Sequence, residues 1–194
     1  DHMQHEAVFR LLPAREKLAM SLTTAGALVP ELSRIMETVF GRAPKLCLSK
    51  NRIDDLKLVN RVAALTWQKL FGFDEGTTAP TKRIPDLVFQ MDEAKRVAFL
   101  RGYLRGDGTV SSKSMVFATS SRDIASGVGY LLSSLGVVCT LVQSPPDRTR
   151  RMVNGSAVIA RNDRWQVAVA SLDDLRRIRT VWHDSGARPS FLPP

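Results

Sequence analysis

The stretch FLRGYLRGDGTV, Phe99 to Val110, constrains this chain more than any other. Gly102 and Gly106 stand four positions apart, which places them on one face of a helix. Each glycine weakens a helix by about 1 kcal/mol relative to alanine. Two missing side chains on one face let another helix backbone approach closely. Phe99, Leu100, Tyr103 and Leu104 supply apolar packing around that face, while Arg101 and Arg105 share a different one, suited to solvent or to a polyanion. The helix ends at Asp107-Gly108, so a carboxylate sits where the macrodipole is already negative. A divalent cation at that point relieves the repulsion. A solvated Gly-Asp-Gly turn is the plain alternative.

Around this stretch the chain alternates helix and strand signals. Residues 14–29 are rich in helix formers and read as a helix. Pro30 allows a new start at ELSRIMETVFG, with Gly41 as its cap. PKLCLSK reads as a strand and LVNRVAALTWQKLFG as a helix closed by Gly72. The polar, turn-rich residues 73–84 form a linker between halves 1–84 and 85–194. The second half opens with a helix from about Asp92 to Asp107. A hairpin spans TVSSKSMVFATSS, and RDIASGVGYLLSSLG is a helix ending at Gly136. VVCTLVQS, RMVNGSAVIA and RWQVAVAS are strands, and LDDLRRIRTVW closes as a helix. METVFGRAPKLCLS (36–49) runs parallel to YLLSSLGVVCTLVQS (130–144), each a helix, a glycine and a strand. The fold class is therefore α+β, with two related halves.

The formal net charge of +9 over 194 residues implies an acidic partner, nucleic acid before an anionic membrane. Ile124 to Pro146 carries no charge, but its Gly, Ser and Gln residues and Pro145-Pro146 make it a helix followed by a strand, not a membrane span. Cys47 and Cys139 lack a C-x-x-C partner, which excludes a zinc site or disulfide framework and suits a reducing, intracellular setting.

The segment KRIPDLVFQMDEAKRVAFLRGYLRGDGTVSSKSMVFATSSRDIASGVGYLLSSLG resembles the second motif region of LAGLIDADG homing endonucleases, in particular the intein-type endonuclease domain. The resemblance rests on the Lys-x-Ile-Pro lead-in, the Phe-Leu-Arg-Gly-Tyr helix, the Gly-Asp-Gly-Thr-Val exit, the hairpin, and the Leu-rich helix ending in Leu-Gly. It implies two pseudo-symmetric halves whose helices pack on antiparallel saddle sheets, with two motif helices on a pseudo-two-fold axis. It also implies Mg²⁺ (or Mn²⁺) held by the acid before the last glycine of each motif, and hydrolysis of phosphodiester bonds in double-stranded DNA. Asp107 takes the place of the catalytic, metal-binding acid, and Gly102 and Gly106 those of the helix interface. Arg105 departs from the acidic or polar residue more usual there.

A second motif is expected in the first half. AMSLTTAGALV offers Ser21 and Ala25 as the small helix-interface pair, a register that puts Gly26 where Asp107 stands. Either that motif has eroded and lost its acid, or this is an ordinary core helix and the first motif was never there. The expected states are an impaired or dead endonuclease, or a homodimer through the Asp107 helix, with the monomer favoured. A non-catalytic DNA-binding regulator on the same fold is the alternative.

For DNA contact the strands after the motif offer Lys113, Ser114, Gln143, Arg148, Arg150, Arg151, Asn154, Arg161, Arg164 and Gln166. Arg and Gln can read base edges bidentately, and the others hold phosphates. No splicing nucleophile or terminal Asn is visible, so an endonuclease domain without self-splicing chemistry is expected.

Overall fold

The computed structural model describes residues 8–14, 17–23, 28–48, 55–72, 77–111, 113–149, 151–153 and 156–183. These fall into two compact units, residues 1–77 and 78–194.

In the first unit, β1 (Val8–Ala14) and β2 (Lys17–Thr23) form an antiparallel hairpin. Helix α1 (Val29–Phe40), strands β3 (Lys45–Cys47) and β4 (Asp55–Val59), and helix α2 (Arg61–Phe71) follow. The sheet order is β1-β2-β4-β3. Leu56 and Leu58 of β4 are buried with Met36 of α1 and Ala63 and Ala64 of α2. That alternation sends Lys57 to the face turned away from the helices.

Two sequence readings need correction here. The helix expected over 14–29 is largely strand, and Ser21 lies in β2 opposite Lys57 rather than on a helix face. Helix propensity in AREKLAM is real but small per residue, and pairing along both edges of β2 overrides it. Pro13 is tolerated because β1 is an edge strand. Ala25 and Gly26 lie outside the described residues. The helix expected from Leu58 starts at Arg61 instead, where the Asn60 side chain accepts the Ala63 N–H at 3.2 Å, and Leu58 and Val59 belong to β4.

The second unit begins with α3 (Asp86–Gln90) and α4 (Glu93–Asp107). Strands β5 (Gly108–Val110) and β6 (Met115–Thr119) and helix α5 (Arg122–Ser134) come next. Then follow β7 (Thr140–Ser144), the small hairpin of β8 (Arg151–Val153) and β9 (Ser156–Val158), and β10 (Arg164–Val169). Helices α6 (Leu172–Arg177) and α7 (Arg179–Trp182) end the unit. The main sheet order is β5-β6-β10-β7. One core joins Leu100 and Leu104 of α4, Met115 and Phe117 of β6, Val128 and Leu131 of α5, Val167 and Val169 of β10, and Leu175 and Trp182.

The lead-in to α3 belongs to this core, which puts the division at Thr77/Thr78 rather than after Ile84. Ile84 is buried, and the Ser121 hydroxyl donates to the Lys82 carbonyl at 2.5 Å while accepting the Ile124 N–H. A methyl group on Gly127 would lie 2.9 Å from Ile84, so the bare glycine is what lets the lead-in lie on α5. The uncharged run from Ile124 to Pro146 is α5, a turn and β7. Among the described residues no helix is long and apolar enough to cross a membrane.

Candidate nucleic-acid interface and metal-binding acid

Helix α4 is capped by Asp92, whose side chain accepts the Lys95 N–H at 2.9 Å and pairs with the Lys95 ammonium. Those two hydrogen bonds, the ammonium first, hold the Asp92 carboxyl below its ordinary range. Leu100 and Leu104 face the core, and the Tyr103 hydroxyl donates to the Ala118 carbonyl at 3.3 Å. On the other side Ala94, Ala98 and Gly102 are exposed. A methyl group on Gly102 would meet no atom within 4 Å.

Asp107 is the last residue of α4 and is half-buried. The next residue, Gly108, is already the first of β5. A Cβ there would overlap the Leu104 Cδ1 and fall 2.6 Å from the Leu104 carbonyl oxygen, so only glycine can pass from helix to strand at this point. Asp107 is thereby held where the helix meets the sheet. A hard carboxylate at a helix end fits the protein part of an Mg²⁺ site, which often uses one or two carboxylates plus phosphate oxygens. Among the described residues no group of three or more His, Cys, Asp or Glu side chains gathers to hold a metal ion.

Sheet register sorts the remaining candidates. Phe117 pairs with Val167, and Val167 with Leu141, which defines the helix-side face. Arg164 and Gln166 alternate with Val167 and so stand on the opposite face, beside Val142 and Ser144. Gln143 is separated from them. It pairs with Trp165 on the helix-side register and donates to the Asp163 carboxylate at 2.6 Å. Lys113 is exposed in the β5–β6 turn, where Ser111 Oγ accepts its backbone N–H. Ser114 is bonded within the same turn, its N–H to Ser111 Oγ at 3.1 Å. Arg148 and Arg161 are exposed in the connections flanking the β8–β9 hairpin, and Arg151 opens β8. Arg150 and Asn154 lie outside the described residues.

The first unit contributes candidates that the sequence reading missed. Lys57 pairs with Lys45 on one side and with Ser21 on the other, and Ser21 pairs with Arg10. Three basic residues thus share one cross-strand row. The alternation Asp55-Leu56-Lys57-Leu58 carried the strand signal that would have exposed this row.

Leaving aside the β8–β9 hairpin and α7 of the second, the two units repeat one plan, β-β-α-β-β-α, with the same strand order. In the second unit this plan is preceded by α4, which has no counterpart after β1 in the first.

Residues 94–182 match the family model described as a LAGLIDADG-like domain. The match lies wholly within the second unit. The chain is 37% identical over 108 residues to a DNA polymerase of Thermococcus aggregans, covering 55% of this chain and 5% of that protein. It is 32% identical over 125 residues to a DNA polymerase of Thermococcus hydrothermalis, covering 64% and 7%. The chain thus spans a small fraction of the length of the curated relatives it matches. The crystal structure of I-DmoI in complex with DNA and Ca is similar, with a TM-score of 0.62 at 12% identity, covering 97% of this chain and 87% of that one. I-DmoI in complex with DNA and Mn gives 0.60 at 10% identity, covering 91% and 89%. The N-terminal LAGLIDADG domain of DUF199/WhiA gives 0.52 at 11% identity, covering 94% and 77%. At these identities the likeness is one of fold, and the fold is LAGLIDADG.

Proposed function

We propose that this chain is the DNA-binding part of an intein-type homing endonuclease that hydrolyses phosphodiester bonds in double-stranded DNA. The observation that carries the reading is the register of the two sheets. It gives each unit one helix-covered face and one face bearing the polar and basic side chains Lys45, Lys57, Arg164 and Gln166. An antiparallel ribbon of this kind fits a major groove. There the guanidinium of Arg164 suits the O6/N7 pair of guanine and the amide of Gln166 suits adenine. The lysines suit phosphates. Matches to a short stretch of much longer DNA polymerases support a mobile insert within a host protein.

Asp107 is the proposed cation-binding acid. A bound Mg²⁺ or Mn²⁺ supplies polarisation of the scissile phosphate and a lowered pKa for the attacking water. Asp107 holds its carboxylate at the α4 terminus, and Gly108 lets the chain pass directly from that terminus into β5. A second acid is required from a second motif helix, either ahead of β1 or from a second copy of this chain. The decisive experiment is a cleavage assay with Mg²⁺ or Mn²⁺ on the uninterrupted host-gene sequence. Cutting that depends on Asp107 upholds the reading. DNA binding with no cutting by any form of the protein leaves the second reading, a non-catalytic DNA-binding protein.

A further inference from the structure

The open faces of the two sheets carry equivalent rows of opposite chemistry. In the first unit Lys57, one position past buried Leu56, pairs with Ser21 and Lys45, and Ser21 pairs with Arg10. In the second unit Ala168, one position past buried Val167, pairs with Val116 and Thr140, and Val116 pairs with Thr109. The shared strand order makes the two rows counterparts. The first row holds three basic residues, whereas the second is uncharged and has a methyl group at every position. Thr109 and Thr140 are exposed, and Val116 and Ala168 are half-buried. The next row of the second sheet continues the pattern on both flanks of Gln166, with Ala118 on one strand and exposed Val142 on the other.

We propose that the open face of the second sheet selects thymine-bearing base pairs, through contacts between these methyl groups and the C5-methyl of thymine. The proposal rests on the DNA reading above and adds which bases this sheet prefers. In the major groove thymine is marked by that methyl, and Ala and Thr methyls are among the groups that contact it. Bringing the two apolar surfaces together removes both from water. Short side chains also let the sheet approach the base edges closely. A row without charge adds nothing to phosphate attraction, so its contribution is to choice of sequence rather than to general affinity. Arg164 and Gln166 share this face, and neither methyl-bearing row contains a carboxylate. That setting favours the base edges of a polyanion over an apolar protein surface.

The test uses the full chain and duplexes that it selects from a pool of randomised sequence. Thymine should recur in the selected duplexes. Deoxyuridine lacks only the C5-methyl, and placing it at each of those thymines in turn should weaken binding about fourfold at a contacted position, equivalent to about 0.8 kcal/mol for one carbon returned to water. The double variant Thr109→Ser/Thr140→Ser removes two exposed methyl groups and keeps both hydroxyls. It should bind the deoxyuridine duplex as the parent does and lose most of the parent's preference for thymine. Should it melt far below the parent, Val142→Ala, on the edge strand β7, takes its place. Equal affinity of the parent for thymine and deoxyuridine duplexes overturns the methyl contacts and leaves the DNA reading standing. A thymine preference that the folded variant keeps in full assigns the thymines to another surface and overturns them as well. Absence of binding to any duplex overturns the DNA reading itself, and this inference with it.

Discussion

Leu46 and Leu141 occupy the same place in two different sheets. Each follows a left-handed glycine, Gly41 at φ 66° and Gly136 at φ 71°, at the same spacing. Each pairs with the buried centre of the neighbouring strand, Leu56 and Val167 respectively. A helix must end, reverse and deliver an apolar residue to the sheet, and a glycine in the left-handed region does this without strain. The repeat is therefore one of backbone mechanics.

The glycines of α4 and its exit should behave oppositely. Gly108→Ala is expected to lower stability by about 1–3 kcal/mol, since its methyl would overlap Leu104 backbone atoms that cannot move aside. Gly102→Ala should be neutral or stabilise by up to about 1 kcal/mol, because its site is open and alanine favours helix. Urea unfolding of both variants checks the pair; equal destabilisation would contradict the geometry.

Asp107→Asn should remove cleavage and leave DNA affinity within about twofold, because the amide keeps the shape and loses the charge that holds the cation. Parallel cleavage and gel-shift assays separate the two readouts. Loss of both would mean that Asp107 holds the fold.

Lys57→Ala with Lys45→Ala, and Arg164→Ala with Gln166→Ala, should each weaken duplex binding. The lysine pair should also flatten the salt dependence, by a slope of roughly 0.9 for each phosphate that is no longer neutralised. Gln143→Ala should have no comparable effect, since it lies on the other face and is bonded to Asp163. A large loss of affinity with Gln143→Ala would move the DNA to the helix side.

Asp92→Ala should lower the melting temperature at neutral pH by removing the cap of α4. The Asp92 carboxyl titrates lower in the folded chain than in the unfolded one. Its contribution is thus present above the unfolded pKa and lost as pH falls through the lower folded one. The gap between variant and parent should close in acid. A gap that persists there would show that the charge of Asp92 plays no part.

Helix-terminating glycines and period-2 or period-3.6 patterns were legible one segment at a time. Gly41, Gly72 and Gly136 announced helix ends, and KRIPDLVFQ to SSLG carried the resemblance to the motif unit, because backbone conformation there is set by residues close in sequence. The hairpin of β1 and β2 was not legible. AREKLAM favours helix locally, and only pairing with Val8–Ala14 and with β4 makes it a strand. The site followed the same division. Asp107 was legible as a candidate from its motif. The separation of Gln143 from Gln166 and the row of Arg10, Ser21, Lys57 and Lys45 depended on register and strand order. Side chains in a strand alternate between faces, so a one-residue choice of register decides which of them meet a ligand, and that choice is made by contacts between segments far apart in the chain.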